Sequence, residues 1–501
     1  MKINIAMLKS NPLLLSGLFV WLVFTAYLRP LFLPDEGRYG GVAREMLQGD
    51  WLVPVLNGMP FFHKPPLFYW IDILTMSVFG VNELTARAGA IVGAWLCGAA
   101  VLLAMRRWHG LHAGVTALLV LATSPLFYLA AQYANHDMLV AGLITVAILS
   151  FARAVEDEQQ LARRWLRLGY AVCALAMLAK GLIGVVFPVL VIVPWLLLQG
   201  RWRTVLKLID LVGILIFLGI AAPWFVAMQM RYSGFFDYFF VHQHFQRYLQ
   251  TSFNNVLPFW SYFAALPLLT IPWALFAPAA LWKVWQERTP LQLLYFWWLV
   301  AILLFFSLPS SKLVGYILPV LAPWSMLIGM WLAPRKFMPW LAGSAAIVCI
   351  ALVVWAAKQE PDAHRIVASI LVKQMAAQDE LVFVGDYFYD IPFYAKRRKP
   401  VMVLEDWQSP EIDTVDNWRQ ELKQSAQFDP ARGARQLIER NNIGALTCVQ
   451  ANLWFVVQKD QSVMHQEWFN LQRIFTQDDV VLYLSPLAQR QCRQGAPQNK
   501  P

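Results

Sequence analysis

The sequence predicts a polytopic α-helical membrane protein of about 11–13 transmembrane helices, with interfacial helices on its outer face and a small C-terminal α/β domain. Three observations lead there. Hydrophobic residues fill 58% of 501 positions and charged residues only 14%, where soluble chains carry roughly a quarter. Apolar stretches of about bilayer length, roughly twenty residues, recur from Leu13 to Ala357. After Lys358 polar and charged residues return to ordinary frequency.

The first stretch, residues 13–28, follows Lys2 and Lys9 as a signal sequence would. No small-x-small cleavage site precedes Arg29 and Pro30, so it reads as an uncleaved first span. Further spans are expected near 84–105, 113–131, 138–154, 168–182, 183–199, 208–227, 259–282, 291–308, 313–332 and 338–357. Short cytoplasmic loops concentrate Lys and Arg. Alternate connections hold Arg106 and Arg107; Arg153, Arg163, Arg164 and Arg167; Arg201, Arg203 and Lys207; Lys283 and Arg288; Arg335 and Lys336. These should face the cytoplasm, with the N-terminus. The long segments 29–83 and 228–258, the "QYANHD" turn, the Ala179-Lys180-Gly181 corner and "PSSK" would then face outward, as would the tail after Lys358. Much of the net charge of +10 comes from the inner loops, so it is no nucleic-acid signal.

Residues 1–357 form the expected transmembrane domain, with 29–83 as a first outer loop and 228–258 as a second large one. In the first loop, 37–48 and "PPLFYWIDILTMSVFG" have the spacing of helices lying in the membrane interface. Residues 358–501 are read as an exported α/β domain with a disordered end. "ELVFVG", "PVMVLE", "IGALTCV" and "VVLYL" are its expected strands, with helices at 364–377 and 432–441. Of five cysteines, Cys97, Cys173 and Cys349 lie in apolar spans. Cys448 and Cys492 lie in the tail, where a disulfide can form, but the polar terminus around Cys492 argues against it.

Every outer connection supplies ionisable groups near a helix end: Asp35, Glu36, Arg38, His63 and Lys64; Asp137; Lys180; His242, His244 and Arg247; Lys312 and Tyr316. Any one of them alone reads as solvated loop surface. Together they predict a cavity at the outer face. Basic groups at a membrane rim suit a phosphate whose apolar tail remains in lipid. Acidic Asp35 and Asp137 do not grip phosphate; they suit a sugar's hydroxyls or amine, or removal of an acceptor's proton. In "FFHKPPLFYW", Pro65 and Pro66 hold Lys64 away from helix and fix it, with His63, at the membrane boundary. The alternative is a plain helix start, since Pro is favoured in a first turn, and the functional reading is preferred to it.

The succession "PDEGRYGGVAREMLQGDWLVPVLNG", "FFHKPPLFYW", "ANHDM", "AKG", "APWFVAMQ", "HQHFQRY" and "SSKLVGYILP" resembles that of bacterial C-type glycosyltransferases related to the lipid A aminoarabinose transferase, within the protein-O-mannosyltransferase clan. The resemblance covers residues 11–357. It implies catalytic roles for Asp35 and Asp137, with Glu36 beside them. It implies carrier-phosphate binding by Lys64, Arg247 and Tyr316, with Arg38 and Lys312 nearby. It also implies a zinc or other divalent metal site at His63 and His244, where the family has Glu at the first position.

The resemblance further implies an inverting transfer of a sugar, aminoarabinose or a related one, from a polyprenyl-phosphate donor to lipid A or another envelope acceptor. The reaction would occur at the periplasmic face of the bacterial inner membrane. The alternatives are a transporter or flippase of lipid-linked sugars, a protein O-glycosyltransferase, and a non-catalytic assembly protein. Transporters commonly place ionisable groups at the bilayer midplane in repeated halves; here the groups cluster at one face, and no repeat is visible.

Overall fold

The computed structural model describes residues 11–157, 160–246, 256–359, 363–461, 463 and 466–492, with backbone alone at 244–246. The chain enters through helix α1 (Asn11–Val23) and then builds its first loop from α2 (Asp35–Gln48), a hairpin of β1 (Val55–Leu56) and β2 (Met59–Pro60), and α3 (Leu67–Phe79). The bundle follows: α4 (Ala88–Ala122), α5 (Pro125–Ala131), α6 (His136–Ala154), α7 (Arg163–Lys180), α8 (Ile183–Leu198), α9 (Leu211–Arg231), α10 (Ser261–Leu269), α11 (Ala277–Glu287), α12 (Pro290–Ser307), α13 (Leu321–Leu332) and α14 (Met338–Gln359). This is a multi-span membrane protein. Its lateral surface exposes Trp340, Met230, Leu198 and Leu211, side chains that suit lipid contact.

All eleven expected spans fall on helical segments, but among the described residues only six helices are long and apolar enough to cross a bilayer. The reasons for the shortfall are local. Helices α1 and α8 are shorter than a bilayer requires. Helix α7 carries Arg163, Arg164, Arg167 and Lys180. The span expected at 259–282 is α10 and the segment Trp273–Glu287, bent by 108°. Helix α4 is two expected spans in one: Gly110, at φ 86°, turns the chain back. A Cβ on Gly114 would lie 3.0 Å from Leu102 O, so the two halves pack side by side.

Small residues bring α4 and α6 together. A Cβ on Gly142 would overlap the backbone of Gly93, so the two helices meet main chain to main chain. This contact holds the start of α6, and with it Asp137, at a fixed place relative to the first loop.

Helix α2 forms where predicted, but it does not lie in the membrane interface. Its Gly40 fits between Ala86 on one side and Phe393 of the C-terminal domain on the other, at 3.2 and 3.3 Å from a built Cβ. Val42, Ala43 and Met46 are fully buried. The helix is thus enclosed in protein, which explains why its sequence is rich in glycine and poor in large apolar groups. Helix α3, by contrast, leaves Leu74, Val78 and Phe79 exposed, as an interfacial helix would.

The C-terminal domain is a six-stranded mixed sheet in the order β5 (Leu437–Glu439), β4 (Met402–Glu405), β3 (Glu380–Val384), β6 (Leu453–Gln458), β8 (Val480–Ser485), β7 (Gln472–Gln477). The first four strands run parallel, and β8 lies antiparallel to both β6 and β7. The longest helices packed around it are α15 (Ala363–Gln374) and α16 (Trp418–Phe428). Three of the four expected strands are β3, β4 and β8. "IGALTCV" is instead a helical turn, Gly444–Thr447, since a short apolar run serves a buried turn as well as a strand. The helix expected at 432–441 stops at Gln436 and yields to β5, and strands β6 and β7 were not anticipated. The end expected to be disordered, from 493 onward, lies outside the described residues.

The domain docks on the first loop. The β1–β2 turn is Asn57-Gly58, both at positive φ as a tight hairpin demands. The Asn57 side chain donates to Val401 O at 2.9 Å and accepts from Val401 N at 2.7 Å. Cys448 and Cys492 are joined in a disulfide across 44 residues, contrary to the expectation from the polar terminus. Closing a loop of that length limits the unfolded chain, so Cys448→Ser should lower the domain's stability by about 2–4 kcal/mol. Thermal unfolding of variant and parent in detergent measures it.

Candidate active site

Glu36 is a correction to the sequence reading, which grouped it with the catalytic acids. It is fully buried and accepts from Arg87 Nε at 2.7 Å, Arg87 Nη2 at 3.0 Å, Phe32 N at 2.8 Å, Ala134 N at 2.9 Å, and Arg29. Burial pushes its pKa up, but the Arg87 and Arg29 charges outweigh that and bring it down to about 2. No face of this carboxylate is left for a substrate. Its work is to tie the first loop to the starts of α4 and α6.

Asp35, one residue earlier on α2, points the other way. Its carboxylate accepts from Asn135 Nδ2 at 2.9 Å and from the Tyr133 hydroxyl at 3.3 Å, and it pairs with Arg38 one turn on. It remains about a quarter exposed, the kind of access a reacting group needs. Arg38 is itself shared: Nη2 meets Asp35 and Nη1 meets Glu421 of α16. Burial works against its charge, and Glu421, Tyr39 and Asp35 more than restore it. Matched by two carboxylates, Arg38 is a poorer phosphate ligand than the sequence implied.

Asn135 links the two acids. It caps α6, its side chain accepting from Asp137 N at 3.1 Å while donating to Asp35. Asp137 pairs with Lys180, which ends α7. The Lys180 ammonium lies 4.8 Å from the ring centroid of Tyr316, and Tyr316 stacks on Phe306 at 5.0 Å. Gly315 is required here, because a Cβ would overlap the Asp137 carboxylate. Loops from four parts of the chain therefore meet.

Lys64 joins the same group. The charges of Lys64, Lys180 and Arg38 all bear on the ring of His136, which is fully buried among Tyr39, Phe68 and Tyr69 at centroid distances of 4.5–5.0 Å. Lys312, on the loop before Gly315, is buried; its ammonium donates to Leu257 O at 3.0 Å and to Pro309 O. Among the described residues its partners are these carbonyls, and no carboxylate pairs with it. Arg247 lies outside the described residues, and of His244 only the backbone is described, in the π-helical segment Asp237–Gln246.

His63 turns to the C-terminal domain: its Nε2 lies 3.1 Å from Gln424 Oε1, and its ring stacks on Phe61 at 4.4 Å. Gln424 also accepts from the Tyr238 hydroxyl at 2.8 Å. Among the described residues no group of three metal-ligating side chains is assembled. The side chain of His244, the second ligand that the resemblance implied, lies outside those described.

Of the residues named from the sequence, the structure brings Asp35, Asp137, Lys180 and Tyr316 together, but the partners that orient them were not named. Tyr133 and Asn135 were legible, being within the "QYANHD" turn. Glu421, Gln424 and Tyr389 were not, since nothing in a tail with ordinary composition marks three side chains that reach back nearly four hundred residues.

Such a fold, a helical bundle whose outer loops carry acids and lysines under a small α/β domain, defines a class: the membrane proteins with the C-type glycosyltransferase fold. The chain is related to the dolichyl-phosphate-mannose-protein mannosyltransferase family, whose model matches residues 63–226. It is similar to an undecaprenyl phosphate-alpha-4-amino-4-deoxy-L-arabinose arabinosyl transferase of Erwinia tasmaniensis, 35% identical over 307 residues, 60% of this chain and 55% of that one. The enzyme of the same name from an Enterobacter species is 32% identical over 366 residues, 70% of this chain and 66% of the other. The chain thus matches less than two thirds of the length of these relatives. The crystal structure of ArnT from Cupriavidus metallidurans bound to undecaprenyl phosphate shares the fold, with a TM-score of 0.84 at 22% identity over 96% of this chain and 99% of that one.

Proposed function

We propose that this protein is an inverting glycosyltransferase of the inner membrane. It moves a sugar, aminoarabinose or a close relative, from a polyprenyl-phosphate carrier to lipid A or another envelope acceptor. The observation that carries this reading is the chain of contacts that joins Asp35, Asp137, Lys180 and Tyr316, from loops far apart in sequence, with the charge of Lys64 close enough to act on His136 beside them. The named activity of the relatives and the undecaprenyl phosphate bound by ArnT supply the substrate class.

In the reaction an acceptor oxygen attacks the anomeric carbon from the face opposite the carrier. The bond from that carbon to the phosphate oxygen breaks, and its electron pair stays on the phosphate. Lys64, Lys312 and Arg247 hold the departing anion, the step where charge grows most. A hydroxyl acceptor gives its proton to Asp35; a phosphate acceptor arrives already ionised, and Asp35 then orients it. Asp137, held by Lys180, lines the sugar subsite. No step is routed through a metal.

The site faces the periplasm in this reading, with the N-terminus in the cytoplasm and residues 358–501 exported. Two observations support it. Arg107, Arg153, Arg163 and Arg164 line one cavity with Glu156 and Asp157, an excess of basic groups of the kind cytoplasmic loops carry, and the Cys448–Cys492 disulfide suits an oxidising compartment. The transporter reading gains nothing: Lys180, its one candidate for depth, pairs with Asp137 in the same group. The test is reconstituted transfer with undecaprenyl phosphate-aminoarabinose and lipid A, read by mass spectrometry. A product of added sugar mass supports the proposal; an unmodified acceptor with an intact donor overturns it.

A further inference from the structure

Helix α16 belongs to the C-terminal domain, yet it reaches two of the site's loops. Glu421 pairs with Arg38, and Gln424 lies against His63 and Tyr238. Glu421 is buried, and its second oxygen accepts from the Tyr389 hydroxyl at 2.6 Å. Tyr389 is buried as well, and its ring lies 5.8 Å from the Arg38 guanidinium, which rests 5.0 Å from Tyr39 on the other flank. The Nε of Arg38 meets no acceptor among the described residues. Its two terminal nitrogens are therefore what fix the guanidinium, one to Glu421 and one to Asp35.

We infer that Glu421 is a positioning residue for the transfer reaction: through Arg38 it sets where the Asp35 carboxylate points, so the C-terminal domain completes the active site. The inference rests on the function proposed above. Asp35 is oriented from three sides, by Asn135, Tyr133 and Arg38. Two of these come from the bundle and are fixed by helix packing. The third is only as well placed as the Glu421 and Tyr389 pair behind it. When Glu421 becomes neutral, Arg38 loses one of its two anchors and moves, together with the carboxylate it holds. A displacement of this kind changes the rate of the chemical step and leaves the carrier site, at Lys64 and Lys312, intact.

The test uses the full chain in proteoliposomes with undecaprenyl phosphate-aminoarabinose as donor. Glu421→Gln should lower kcat about tenfold or more, because small misplacements of a reacting group are costly, while KM for the donor stays within about twofold. Glu421→Asp should recover part of that loss. Tyr389→Phe, which removes a single hydroxyl, should lower kcat about threefold on the same argument, and it carries the test if the Gln variant does not fold. Lys423→Ala, on the same helix but paired with Asp413 and not with Arg38, should leave kcat near the parent value. An unchanged kcat in Glu421→Gln, or an equal loss in Lys423→Ala, overturns the inference. Absence of turnover in the parent overturns instead the functional reading beneath it.

Discussion

Glu36→Ala should cost the protein about 3–5 kcal/mol of stability, the usual result of leaving buried charge without its partner. The substitution strips five hydrogen bonds from one carboxylate and leaves Arg29 and Arg87 facing each other in the interior. The pH dependence has a definite sign. The folded pKa of about 2 lies below the ordinary 4.5, so the stabilisation is fully present above about pH 4.5 and fades as pH falls toward 2. The shift corresponds to roughly 3 kcal/mol. Thermal unfolding in detergent between pH 2 and 7 reads both effects. The parent should lose stability at acid pH more steeply than Glu36→Ala; parallel curves for the two would show that the carboxylate does not hold the loop.

Asp35→Asn should leave the fold in place and reduce transfer to a hydroxyl acceptor by about 10²- to 10⁴-fold, the range for a lost general base. The side chain is partly exposed, and the amide can keep hydrogen bonds of the same reach, so melting temperature should move little. Asn cannot accept a proton, and it cannot balance Arg38, which keeps Glu421. Steady-state turnover by the reconstituted variant, with melting as control, measures this. Near-parental turnover would remove Asp35 from the chemistry and leave the site a binding surface.

These two neighbours show how far the sequence could be read. "DE" after a first span was recognisable as an anomaly, but which acid faces the site depends on helix rotation. One residue along α2 turns the side chain by about 100°, which is enough to send Asp35 to the outer loops and Glu36 to Arg29 and Arg87. The spans were legible because apolar length is a strong local signal. Their regularity was not, because a bend of 108° breaks the span expected at 259–282 and α1 and α8 stop short of bilayer length. In the C-terminal domain alternation found β3, β4 and β8, but not that "IGALTCV" would coil. Nor could composition show that α2 is enclosed by that domain rather than resting on lipid. Contacts such as Arg38–Glu421 and Asn57–Val401 span over three hundred residues and leave no periodic trace.

The account stands on separate outer loops gathering about one lipid-borne phosphate, with Lys64 as a principal ligand. Undecaprenyl phosphate binding to the purified protein, titrated for the parent, Lys64→Ala and Asp35→Asn, tests it most directly. Loss of a hydrogen bond to a charged group, about 1.5–3 kcal/mol, predicts binding weakened about tenfold to a hundredfold in Lys64→Ala, with Asp35→Asn close to the parent. Equal affinity in Lys64→Ala and the parent would contradict the account.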